Sequence, residues 1–172
     1  SVKVALVAEY LGICPDDLQL KNECCLHVCT INLDRVGADQ DKTGSTFILS
    51  KVPPYLPQRW GRTLAYNIER NMPSSSGYPL KRFGEIPFMA GSDHCVFTTL
   101  GIPSPFMGHL PDRYYHSDFD TPRMMDEMEL EWVGLSALET LDQLVQPDPN
   151  VLLSVRGRMI GELYQILNRI AG

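Results

Sequence analysis

The sequence predicts an α/β protein with three layers, α/β/α, around a mixed, mainly parallel sheet. Short apolar runs at 2–8 and 26–33 have the length and composition of buried strands. Apolar stripes at helical spacing recur at 56–72, 129–145 and 150–170. Acids follow directly on two of the apolar runs, Glu9 and Asp34, where open α/β sheets collect their ligands.

In chain order, 2–8 reads as a strand buried on both faces, in the middle of its sheet. A fold rarely begins with its central strand, so the chain is expected to be the second half of a larger catalytic domain. The run LHVCTINL is the second strand, and 46–52 a third, nearer an edge. Residues 39–45 are polar and turn-rich. Pro53-Pro54 precedes a helix carrying Leu56, Trp60, Leu64 and Ile68 on one stripe, ended by Pro73. The loop at 74–77 is too short to divide domains, and 78–90 reads as irregular. A short helix begins near Ser92, a suitable N-cap, and a short strand covers 104–107. Two helices close the chain, and their stripes, including Leu152, Val155, Met159, Leu163, Ile166 and Ile170, are read as core.

A length of 172 residues suits one domain, 1–172, with a sizeable core. The net charge of −6 argues against a nucleic-acid surface. No apolar run approaches the roughly 20 residues that span a bilayer, so no membrane partner is expected. The five cysteines are odd in number and form no C-x-x-C pair, which points to a reducing, cytoplasmic compartment. A signal peptide removed before Ser1 would leave no trace. Cys25 and Cys29 are taken as small core residues.

The chemistry concentrates in the stretch GSDHCVFTTLGIPSPFMGHLPDRYYHSDFDTP, with His94 and His116 each near an acid. Its pieces are Ser92-Asp93-His94, Gly101-Ile102-Pro103, Tyr115-His116 and Asp120-Thr121. With Asn32-Leu33-Asp34-Arg35-Val36-Gly37 upstream, this order resembles the zinc aminopeptidases of the bacterial leucyl aminopeptidase type, relatives of the glutaminyl cyclases. The resemblance implies one or two zinc ions, with Asp34 and His116 as ligands. It implies a Tyr115 hydroxyl that steadies an oxyanion, and Asp93 and His94 as outer residues that orient ligands. His94 reads equally as a helix-start residue bonded locally, His27 as a satisfied core histidine, and His109 as a residue near the pocket.

Two features depart from the family. The family carries a Glu-Glu pair, a general base and a zinc ligand, where this chain has Ala8-Glu9-Tyr10. Aligning AEYLG with the family's AEELG makes Glu9 the base and puts Tyr10 in place of a ligand; the other register makes Glu9 the ligand. The family's upstream H-x-D has no counterpart, since the single H-x-D here, His116-Ser117-Asp118, lies inside the later motif. The resemblance therefore covers the C-terminal part of the catalytic domain. It implies a zinc metallopeptidase, an aminopeptidase hydrolysing N-terminal peptide bonds, with a peptide substrate. The alternatives are a non-catalytic peptidase-like binding or dimerisation module and a glutaminyl-cyclase-like acyltransferase. Homo-oligomerisation is left open.

Overall fold

In the computed structural model, the residues described are 4–10, 26–73 and 80–171, with side chains described for 29–73 and 80–170. Their strands form one mixed sheet in the order β1-β2-β5-β3-β4. The strands are β1 (Val4–Tyr10), β2 (Leu26–Leu33), β3 (Thr46–Ser50), β4 (Phe83–Ile86) and β5 (Phe106–Leu110). β2 runs parallel to β5 and β3 parallel to β4, while β1–β2 and β3–β5 are antiparallel. The helices are α1 (Gln40–Thr43), α2 (Arg59–Asn71), α3 (His94–Thr99), α4 (Glu127–Val145) and α5 (Pro149–Ala171).

Alternation along the strands separates two faces. Ile31 and Leu33 of β2, Phe47 and Leu49 of β3 and Met107 of β5 point to one side, where they join Leu64 and Ile68 of α2 and Trp132, Val133 and Ala137 of α4. This is the apolar core, and Phe47 packs edge-on against Trp132. On the other face Asn32 and Phe106 meet His94 of α3. Helices thus lie on both sides, as the binary pattern predicts. α2 and α4 are joined across their contact by Asn67 donating to Thr140 Oγ1 at 3.0 Å.

Several boundaries moved. β1 is outermost among the described strands and antiparallel to β2, instead of central. An apolar run says that a strand is buried, but not which neighbour buries it. β3 lies inside the sheet between β5 and β4, and β4 forms in the stretch read as irregular, because Phe47, Ile48, Leu49 and Ser50 supply it with a parallel partner. The polar segment at 39–45 contains α1, capped by the Asp39 carboxylate, which accepts from the Asp41 and Lys42 amides, and closed by Gly44 at φ 68°. Ser92 is not a cap: α3 starts after Asp93, with no side-chain cap bond. The stripe on α5 is core only at its start, where Val151 and Val155 are buried; Met159, Leu163, Ile166 and Ile170 are exposed. Among the described residues no helix is long and apolar enough to cross a membrane. Cys14, Cys24, Cys25 and the loop at 74–77 lie outside the described residues.

Candidate functional site

The parallel strands β2 and β5 end side by side, with the Asp34 amide donating to Met107 O at 3.0 Å. Asp34 follows the last residue of β2, and Gly108 is its neighbour on β5. A Cβ at Gly108 would come within 2.6 Å of Asp34 O, so only glycine lets the two strands close here. Beyond Asp34 the loop is clamped from the other side. The Asp39 amide donates to Met124 O at 2.7 Å and the Asp126 amide to Gly37 O at 2.9 Å.

A chain of polar side chains on the α3 face fixes the Asp34 carboxylate. Ser92 Oγ donates to Asp34 Oδ2 at 2.6 Å. Asn32 Nδ2 donates to Ser92 Oγ at 2.9 Å and faces His94 Nδ1 at 3.4 Å. His94 Nε2 is 2.8 Å from Met89 O, an acceptor, so the proton sits on Nε2 and Nδ1 is left to accept from Asn32. Burial among Phe88 and Phe106 pushes the His94 imidazole below its ordinary pKa and keeps it neutral. His94 is thus linked to the Asp34 carboxylate through Asn32 and Ser92. Asp93 is exposed and its side chain caps nothing. Asn32 and Ser92 were legible in the sequence only as parts of motifs; their hydrogen bonds span about 60 residues of chain.

Tyr115 and His116 lie on the loop after β5, their rings stacked at 3.7 Å between centroids. The Arg35 guanidinium covers the other ring of this stack, 3.8 Å from the Tyr115 centroid. Arg35 also donates to His109 O at 2.9 Å and contacts Asp112 Oδ2 at 3.3 Å. The residue after Asp34 is thus bound to the loop that carries His116, and Asp34 and His116 share one end of the sheet. Arg35 and His116 both have positive φ, 58° and 57°, a backbone conformation costly for residues with a Cβ. His116 is solvent-exposed.

Glu9 is placed elsewhere. It pairs with His27, at the start of β2, whereas Val4 pairs with Leu33 beside Asp34. At about 3.3 Å per residue Glu9 stands roughly 20 Å along the strand from Asp34. The expectation that Glu9 joins this site assumed that β1 and β2 point the same way; the antiparallel register sends their C-terminal ends to opposite edges of the sheet. The side chains of Glu9 and His27 lie outside those described.

A second polar cluster lies on the core face, and the sequence did not reveal it. Glu129, read only as the start of a helix, is fully buried; its Oε1 accepts from Gln40 Nε2 at 2.8 Å, and its Oε2 lies 3.1 Å from Lys81 Nζ. Lys81 also pairs with Asp126. His109, expected near the pocket, is instead buried here, with Nε2 3.4 Å from Glu129 Oε1. Burial lowers its pKa from 6.5 to about 4, so this contact is not an ion pair at neutral pH. The hydroxyls assign its tautomer. Thr43 Oγ1 donates to Asp39 O, which leaves Ser45 to donate to Thr43 and His109 Nδ1–H to donate to Ser45. Burial raises the Glu129 carboxyl pKa against the pull of Gln40 and Lys81. Cys29 is buried and its thiol pushed up to about 12, an inert core residue as expected.

A carboxylate and an imidazole are suitable zinc donors, and a catalytic zinc takes three protein ligands. Among the described residues no group of three His, Cys, Asp or Glu is placed to hold a metal ion. Asp34 and His116 could therefore form only part of a ligand set.

No protein-family model matches the chain, and no curated protein sequence matches it. Among solved structures the chain is similar to an aminopeptidase from Aneurinibacillus sp. strain AM-1, at 22% identity and a TM-score of 0.44. The match covers 64% of this chain and 25% of that one, so it spans about a quarter of the aminopeptidase.

Proposed function

We propose that this chain belongs to a zinc-dependent hydrolase of the peptidase type, an aminopeptidase acting on N-terminal peptide bonds, and contributes Asp34 and His116 to its metal site. The observation that carries the reading is the Asp34 carboxylate, held at a strand end by Ser92 and, behind it, by Asn32 and His94. Such outer bonding is what a ligating carboxylate needs to keep one orientation. It ties the Asn32–Gly37 segment to the Ser92-Asp93-His94 loop, two separate pieces of the same sequence resemblance.

A bound zinc would supply Lewis acidity and a water acidic enough to act near neutral pH. The chain's own residues do the rest. Ser92 holds Asp34, Arg35 holds the loop of Tyr115 and His116, and the Tyr115 hydroxyl is available to a substrate oxyanion. No step is assigned to Glu9. Its register favours a second reading, a peptidase-like module that keeps the fold for binding and performs no catalysis.

The test is zinc titration by calorimetry on the full protein, beside Asp34→Ala and His116→Ala, with release of N-terminal residues followed in parallel. Zinc binding and peptidase activity lost in both variants support the proposal. Zinc binding that neither variant changes overturns it. Zinc binding without turnover selects the binding module, and ammonia release from N-terminal glutaminyl peptides selects the acyltransferase.

A further inference from the structure

The last helix is bound to the body along one edge and bare over the rest. α5 runs antiparallel to α2, since Arg158 pairs with Glu69 and Glu162 with Arg62. α2 starts at Arg59, so α5 passes its end near Ile166 and continues to Ala171. Val151 and Val155 are buried on the edge facing α2. The arc turned away is apolar and open: Leu153 is 64% exposed, Leu163 55% and Ile170 78%.

This arc has the order of a helix seam. Leu153, Ile160 and Leu167 recur every seventh residue, and Arg156, Leu163 and Ile170 do so three residues later. These are the two apolar positions of a heptad, with one charge among six side chains. Five of the six are large, apolar and exposed, and Met159, Tyr164 and Ile166 widen the face. The exposed apolar area is on the order of several hundred Å², at least that of the largest patch on a typical monomer. It approaches the roughly 800 Å² per partner of a stable interface.

We infer that α5 is a self-association surface, at which two copies of this chain pack antiparallel about a two-fold axis between Ile160 and Leu163. A heptad seam of this length is complementary to itself, which is what a two-fold interface requires. Charge fixes the direction. Parallel packing would set the two Arg156 side chains face to face, whereas antiparallel packing puts them at opposite ends. The unsupported turns beyond Ile166 then rest on the first turns of the partner's helix.

Sedimentation equilibrium of the full chain tests this. The expected result is a dimer that Leu163→Glu with Leu167→Glu converts to monomer, with circular dichroism unchanged and a urea midpoint that no longer depends on protein concentration. Leu100→Glu, equally exposed but remote from the seam, should leave the dimer intact. A monomer at high micromolar concentration, or a dimer indifferent to the double variant, overturns the inference. Ile160→Cys with Leu163→Cys should cross-link two copies under oxidation. Ready self-cross-linking of Arg156→Cys would mean parallel packing and would overturn the antiparallel arrangement.

Discussion

Two polar clusters adjoin β5, and they differ in how their charges are treated. Around Glu129 the charged groups face partners: Gln40 and Lys81 hold the buried carboxylate, Asp126 pairs with Lys81 from the rim, and the buried His109 is kept neutral. Around Asp34 the carboxylate is held by Ser92, while Tyr115 and His116 stand exposed on a loop, with strained backbone at His116 and at Arg35 beside Asp34. The clusters meet at Arg35, whose guanidinium bonds the backbone of His109 and covers Tyr115. Burial of charge against fixed partners is a structural arrangement; fixed backing with an open front is what binding needs.

The sharpest break of this comparison is Glu129→Ala. It removes the buried acceptor that Lys81 and Gln40 share, leaving Lys81 only Asp126 and Gln40 only the Arg82 carbonyl, and should cost about 3–5 kcal/mol of stability in urea unfolding. A loss below about 1 kcal/mol would mean that the cluster is not what pins α4 to the sheet.

Next comes pH. The unfolded chain protonates His109 below about 6.5 and the folded chain only near 4. The residue's contribution is therefore full above 6.5 and is lost as pH falls to 4, roughly 3 kcal/mol by linkage. Glu129 acts in the opposite sense. Its raised carboxyl pKa favours the fold below its ordinary value of 4.5 and loses that contribution as pH rises through the folded value. His109→Asn should remove the His109 slope, and denaturation midpoints from pH 7 to pH 4 in the two proteins measure it. Parallel curves would show that His109 titrates alike in both states.

At the open cluster the effects on stability shrink and those on binding grow. Ser92→Ala removes one bond to a carboxylate, about 1.5 kcal/mol. If Asp34 ligates zinc, the same change should weaken zinc 10–100-fold, read by competition with a chelator. Unchanged zinc affinity would make Ser92 merely structural. Asp93→Ala should be the smallest, within about 0.5 kcal/mol and without effect on zinc, because the side chain is exposed and caps nothing. A clear loss of zinc there would return Asp93 to the site.

What the sequence by itself determined is local. The eight residues of β2, the stripe of Trp60, Leu64 and Ile68 on α2, and the helical character of α4 and α5 follow from periodicity, which depends on neighbours within two turns. The motif pieces that carry Asp34, Ser92 and His116 were legible as a resemblance to a known family, because each is a short contiguous run. Only tertiary structure decided the rest. Whether β1 is central or outermost, whether Glu9 faces Asp34, and whether the stripe on α5 is core depend on which surface arrives opposite. His109 and Glu129 are 20 residues apart in sequence and unremarkable there. They become a buried cluster because the alternation of β5 turns His109 toward the same face that α4 covers, and there a polar atom must find its partner or cost the fold its stability.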